Sequence, residues 1–115
     1  MQLRIKIVLD DCFEPFGDPE VIAEETQRIN AEIWAPYGVI VEAVGPVERE
    51  ESVWGCVVPV TDSGAYRDLA AIQDDHLRDV ATDLMKQIEE SYLDDLKSKR
   101  DEIDALIKQM EVRAT

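Results

Sequence analysis

"DHLRDVATDLMKQIEESYLDDLKSKRDEIDALIKQMEVR", residues 75–113, holds neither glycine nor proline. Leu77, Val80, Leu84, Ile88 and Tyr92 recur at steps of three and four, the spacing of a helix with one buried flank. Leu96, Ile103, Leu106 and Met110 follow at steps of seven, three and four, a heptad-like seam. Lys99 stands where a further apolar seam residue is expected. Unbroken, such a helix is about 58 Å long at ~1.5 Å per residue. A compact chain of this size has a radius of gyration of only about 13 Å. The helix therefore either turns back between Ser91 and Lys99 or projects from the body. A turn would have no glycine or proline to make it. A projection would bare Leu96, Ile103, Leu106, Ile107 and Met110, and a second copy of the chain is the simplest cover. Leu96, Ile103, Leu106 and Met110 are thus the expected self-association residues of a homodimer.

Upstream, Leu69 and Ile72 begin a short helical pattern that breaks near Gln73–Asp75. At the other end of the chain, residues 2–9, QLRIKIVL, alternate, with Leu3, Ile5, Ile7 and Leu9 on one face: a strand with one covered side. Residues 10–17 form a loop punctuated by Pro15 and Gly17. Asp18-Pro19-Glu20 is a helix start, predicted to run to about Ala35 and to stop at Pro36 and Gly38. Its expected buried stripe is Val21, Ile22, Ile29, Ile33 and Trp34. Residues 39–44 and 52–60 read as two more strands around an exposed charged loop. Gly55 marks a bulge or a close backbone approach, and Pro59 a sheet edge or strand end. The expected fold is one α+β domain. A three-stranded mixed sheet (β-α-β-β), its first two strands parallel through the helix, precedes a short helix and the long C-terminal one.

The 115 residues suit one domain, and 45% are apolar, a globular value. No apolar run is long enough to span a bilayer, and MQLRIKIVLDD lacks the continuous apolar core of a signal peptide, so a cytoplasmic protein is expected. Cys12 and Cys56 form no zinc pattern and read as two reduced thiols. The net charge of −14 comes from 26 acids against 12 bases, which disfavours direct binding to nucleic acid or anionic lipid.

Asp10 and Asp11 end a strand, where α/β enzymes place Mg²⁺ ligands with helpers such as Glu14. Asp-rich strand ends also arise from turn chemistry alone. His76, the sole histidine, has no nucleophile at a connecting spacing and reads as a surface residue. No Gly-rich phosphate loop, HExxH or GxSxG is present. The expectation is a non-enzyme without metal or cofactor. Trp34 and Trp54 read as core packing residues.

The remaining candidate is the acidic surface. Seven acids and no base lie between Asp10 and Glu25, among them Asp11, Glu14 and Glu24. On the long helix Asp75, Asp79 and Asp83 form one row and Glu90 with Asp94 a second, their Cβ atoms about 5–6 Å apart. DNA carries about one charge per 1.7 Å of axis, so a carboxylate row is sparser yet can imitate one phosphate strand. Arg78, Lys86, Lys97, Lys99, Arg100 and Lys108 interrupt the field, and ordinary solvation of a helix face is the alternative.

The stretch "ESVWGCVV" (51–58), followed by "DDHLRDVATDLM" (74–85), resembles small proteins of bacteriophages and bacterial mobile elements, in which a strand with an aromatic–Gly pair precedes a short acidic helix. The resemblance implies a phage-type accessory protein that inhibits a host nuclease or CRISPR complex. The expected partner is a basic host protein or nucleoprotein complex. Assembly through the long helix, and a Mg²⁺-dependent enzyme at Asp10 and Asp11, are the alternatives.

Overall fold

A computed structural model describes residues 2–114. Its elements are β1 (Gln2–Leu9), α1 (Pro19–Asn30), β2 (Trp34–Val44), β3 (Arg49–Pro59), β4 (Tyr66–Arg67), a single 3₁₀ turn (Leu69–Ala71) and α2 (Asp75–Ala114). The class is α+β, with a sheet of four strands in the order β3-β2-β1-β4. Every neighbouring pair is antiparallel.

The expected parallel crossover between the first two strands is therefore absent. Its premise was a helix running to Ala35. α1 instead stops at Asn30, where the Glu32 and Ile33 amides donate to the carbonyls of Ile29 and Arg28. Glu32 occupies the left-handed position of this C-terminal cap at φ 58°, the place where glycine would have announced the end of the helix. The chain then re-enters the sheet beside the end of β1 that it left. A crossover would have had to travel the length of the sheet.

Pro36 and Gly38, read as helix stops, lie inside the central strand β2. Strand geometry explains Pro36. A strand residue points its N and its C=O to the same edge, and the Pro36 carbonyl accepts from the Asp10 amide at 3.0 Å. The missing N–H therefore faces the point just past Leu9, where β1 has ended. Gly38 is required for another reason: a Cβ there would lie 2.3 Å from Trp54 Cε3. The Trp54 ring covers Gly38 on the outer sheet face and is 51% exposed, so Trp54 is not a core residue. Trp34 is half-buried beneath the Arg28 guanidinium, 4.8 Å from its ring centroid.

The register slips between Tyr37/Cys56 and Val39/Val53, so Trp54 and Gly55 together oppose Gly38. This is the bulge, and Gly55 supports it at φ 75°. The two-residue β4 was too short to read from periodicity. It protects the β1 edge, with the Tyr66 ring 4.4 Å beneath Arg4 and its hydroxyl donating to Glu42 at 3.1 Å.

One core results. Ile5 and Ile7 from β1, Tyr37, Val39, Val41 and Ala43 from β2, and Cys56 and Val58 from β3 face Leu77, Ala81, Leu84, Ile88 and Tyr92 of α2. Ile72, just past the 3₁₀ turn, closes the cluster. α1 buries none of its residues: Ile22 and Ile29 are half-buried and Val21 is exposed, while Ile33, expected in the same stripe, lies past the helix end and is exposed. It leans on the start of β2 and is not a layer of the core.

Gly38→Ala should cost about 1–3 kcal/mol of stability through overpacking. Urea unfolding of Gly38→Ala, Trp54→Ala and the double variant should recover most of that cost in the double variant.

Candidate interaction surface on the long helix

α2 is anchored at both ends of its buried half. At its start, Asp74 Oδ1 accepts from the Leu77 amide at 2.9 Å, and the Arg78 guanidinium donates to the Ile72 carbonyl at 2.7 Å. At the far end, Tyr92 Oη donates to the Val47 carbonyl at 3.0 Å, and Arg49 pairs with Asp95 at 2.8 Å. Tyr92 and Arg49 thus tie the helix to the β2–β3 hairpin.

Beyond this point α2 continues as helix without interruption to Ala114. Leu96 still packs against the core, while every residue from Lys97 to Ala114 is exposed. That overhang is about 27 Å long at ~1.5 Å per residue. The molecule measures 71 × 29 × 21 Å, and its radius of gyration is 19.9 Å.

With one flank of α2 pinned to the sheet, the position of every other side chain follows. At about 100° per residue, Asp79, Asp83, Glu90 and Asp94 centre some 150° from the buried stripe. All four are exposed, and among the described residues none enters an ion pair. Asp75 is exposed but pairs with Arg78 at 3.0 Å. Lys86 lies between Asp83 and Glu90 on the same flank and thins the field.

Ile103, Leu106, Ile107 and Met110 continue the buried flank into solvent. Leu106 is 56% and Met110 63% exposed. Fully burying one such side chain contributes about 1.5–3 kcal/mol. The overhang therefore carries an unused apolar stripe in line with the used one. It differs from the body in charge as well. Lys97, Lys99, Arg100, Lys108 and Arg113 stand against Asp101, Glu102, Asp104 and Glu111, a formal +1. The residues before Lys97 hold the other 22 acids and seven bases, a formal −15. This partition is written in the sequence, but it gains meaning only once Leu96 is known to be the last residue packed on the body.

The N-terminal acids divide differently. Asp10 is half-buried and turned inward: Oδ1 accepts from the Cys12 amide at 3.2 Å and Oδ2 from the Gly55 amide at 3.0 Å. It straps the first loop to the β3 bulge. The bond to the Cys12 amide, two residues on, is the turn chemistry expected of an Asp-rich strand end, and the bond to Gly55 turns Asp10 toward the body rather than outward to a partner. Among the described residues no group of three His, Cys, Asp or Glu side chains is placed to hold a metal ion. Asp11 and Glu14 are exposed on the same loop. Glu24 is exposed and pairs with Arg28, and Glu25 is half-exposed beside it on α1. These α1 acids do not share the α2 flank. His76 is exposed on the first turn of α2. Among the described residues no helix is long and apolar enough to cross a membrane.

Compared with protein-family models, curated proteins and solved structures, the chain matches none.

Both cysteines are free; Cys12 is exposed and Cys56 buried. Burial, then the nearby Asp10 and Asp74 carboxylates, push the Cys56 thiol up, so less of it is thiolate near neutral pH. With a thiol reagent at about pH 8, Cys12 should label at least ~10-fold faster than Cys56. Asp10→Ala strands the Gly55 amide and should cost about 1–3 kcal/mol, raising the Cys56 labelling rate while leaving that of Cys12 high.

Proposed function

We propose that the protein is a non-catalytic acidic binding module that occupies a basic, nucleic-acid-binding surface of another protein. The observation that carries this reading is the exposed row Asp79, Asp83, Glu90 and Asp94 on the flank of α2 opposite the core. The row makes no core contact, and each like-charge pair four residues apart costs about 0.2–0.5 kcal/mol of helix stability. It rides on the best-anchored half of the helix, so its spacing is held by Leu77, Leu84, Ile88 and Tyr92. A rigid carboxylate row on a body of formal charge −15 steers toward a cationic groove and away from phosphate. Inhibition of a host nuclease or CRISPR complex, the activity implied by the phage-type resemblance, is one form such binding would take. The Mg²⁺-dependent alternative has less support, because both oxygens of Asp10 accept backbone amides.

The test is capture from host lysate at low and high salt, followed by assay of the captured protein's nucleic-acid binding. The wild-type chain should release its partner by about 0.5 M salt and compete with nucleic acid for it. The variant Asp79→Asn/Asp83→Asn/Glu90→Gln/Asp94→Asn should stay folded, gain a few tenths of a kcal/mol and lose capture. Equal capture by that variant at low salt refutes the proposal.

A further inference from the structure

We infer that the overhang of α2 pairs with the overhang of a second copy as an antiparallel two-helix coiled coil. This pairing stands independently of the acidic-flank reading, because it uses the other flank of the helix.

Spacing, charge and position identify the occupant. The exposed stripe is narrow: Ile103, Leu106 and Met110 follow Leu96 at the a and d steps of a heptad, with Ile107 beside them. Such a seam fits one facing helix, not a sheet or a broad groove. The stripe also begins where the chain's own sheet ends, so a second helix would carry on the cover that β2 and β3 give to Leu84, Ile88 and Tyr92. Charge favours a second copy. Two bodies at −15 repel, whereas two overhangs at +1 are nearly neutral and mix both signs. The overhang is the segment through which copies meet with least electrostatic opposition.

The same residues fix the direction. A parallel pair would stack Lys99 on Lys99 within the seam and set the two −15 bodies side by side. An antiparallel pair places Ile103 of one copy against Leu106 of the other, and Lys99 against Met110. The aliphatic stem of Lys99 then lies along the thioether while its ammonium reaches water. The bodies sit at opposite ends of the paired helices. A two-fold axis across the pair closes the assembly at two copies. Lys99, which breaks the apolar pattern, becomes the residue that selects the direction.

Light scattering of the full chain should give twice the 13.0 kDa chain mass at about 100 μM and fall toward the single-chain mass on dilution. Ile103→Asp and Leu106→Asp change residues already exposed in the single chain. Each should keep the wild-type circular dichroism of the body and lose the doubled mass. Cross-linking reads the direction, in a Cys12→Ser background. A mixture of Lys99→Cys and Met110→Cys chains should form a mixed disulfide, while Lys99→Cys alone should form none, because its thiols would be far beyond bridging distance. A single-chain mass throughout the concentration range overturns the inference. So does a doubled mass that survives Ile103→Asp, or a disulfide between two Lys99→Cys chains.

Discussion

One contact determines the rest: among the described elements, the first half of α2 is the main cover of the sheet's inner face, with Ile72 closing one end. Ile5, Ile7, Val39, Val41 and Val58 would otherwise face water, and α1, with no residue buried, offers no substitute. The anchors at the two ends of that contact are polar and specific. Asp74 and Arg78 fix where the helix starts, and Tyr92 and Arg49 fix where it leaves the hairpin. Burial supplies the larger share of the energy and these hydrogen bonds the register, since a net hydrogen bond contributes only about 1 kcal/mol.

An amphipathic helix pinned by one flank must present the other. The outward direction of Asp79, Asp83, Glu90 and Asp94 is thus a consequence of core packing, and so is their rigid spacing. What packing does not require is that these positions be acidic, or that the helix continue for 18 exposed residues beyond Leu96. An extension of an existing helix bears no nucleation cost, but it also gains nothing from the body. Its apolar stripe is the feature that core formation leaves unexplained.

How much of this was legible depended on how local each signal was. The alternation of Leu3, Ile5 and Ile7 marked β1, and the steps from Leu77 to Tyr92 marked the buried flank of α2, because both patterns repeat within a few residues. Gly55 announced its bulge because a left-handed position rarely takes another residue. The start of β2 was hidden by two residues that ordinarily break structure. Pro36 is harmless only because β1 ends opposite it, and Gly38 is needed only because Trp54 lies over it, and neither fact is local. Glu32 in a glycine position hid the end of α1, and with it the antiparallel sheet. At the candidate site, the rows of acids and the seam were visible as periodicity. Asp10 was legible only in part: its bond to the Cys12 amide is local turn chemistry, whereas the Gly55 amide that donates to it lies 45 residues away.

The two surfaces of α2 are compatible because they lie on opposite flanks. The proposed partner helix would occupy the flank already taken, nearer the body, by the chain's own sheet. It would leave Asp79, Asp83, Glu90 and Asp94 as exposed as they are in a single chain. An antiparallel pair would then hold two identical carboxylate rows apart by at least the length of the overhang, about 27 Å. For a target with two basic sites, such a pair would gain from the linkage between its rows; for a target with one, the pairing would be neutral. Self-association and acid display therefore do not compete for surface, and the division of charge at Leu96 is what permits one helix to do both.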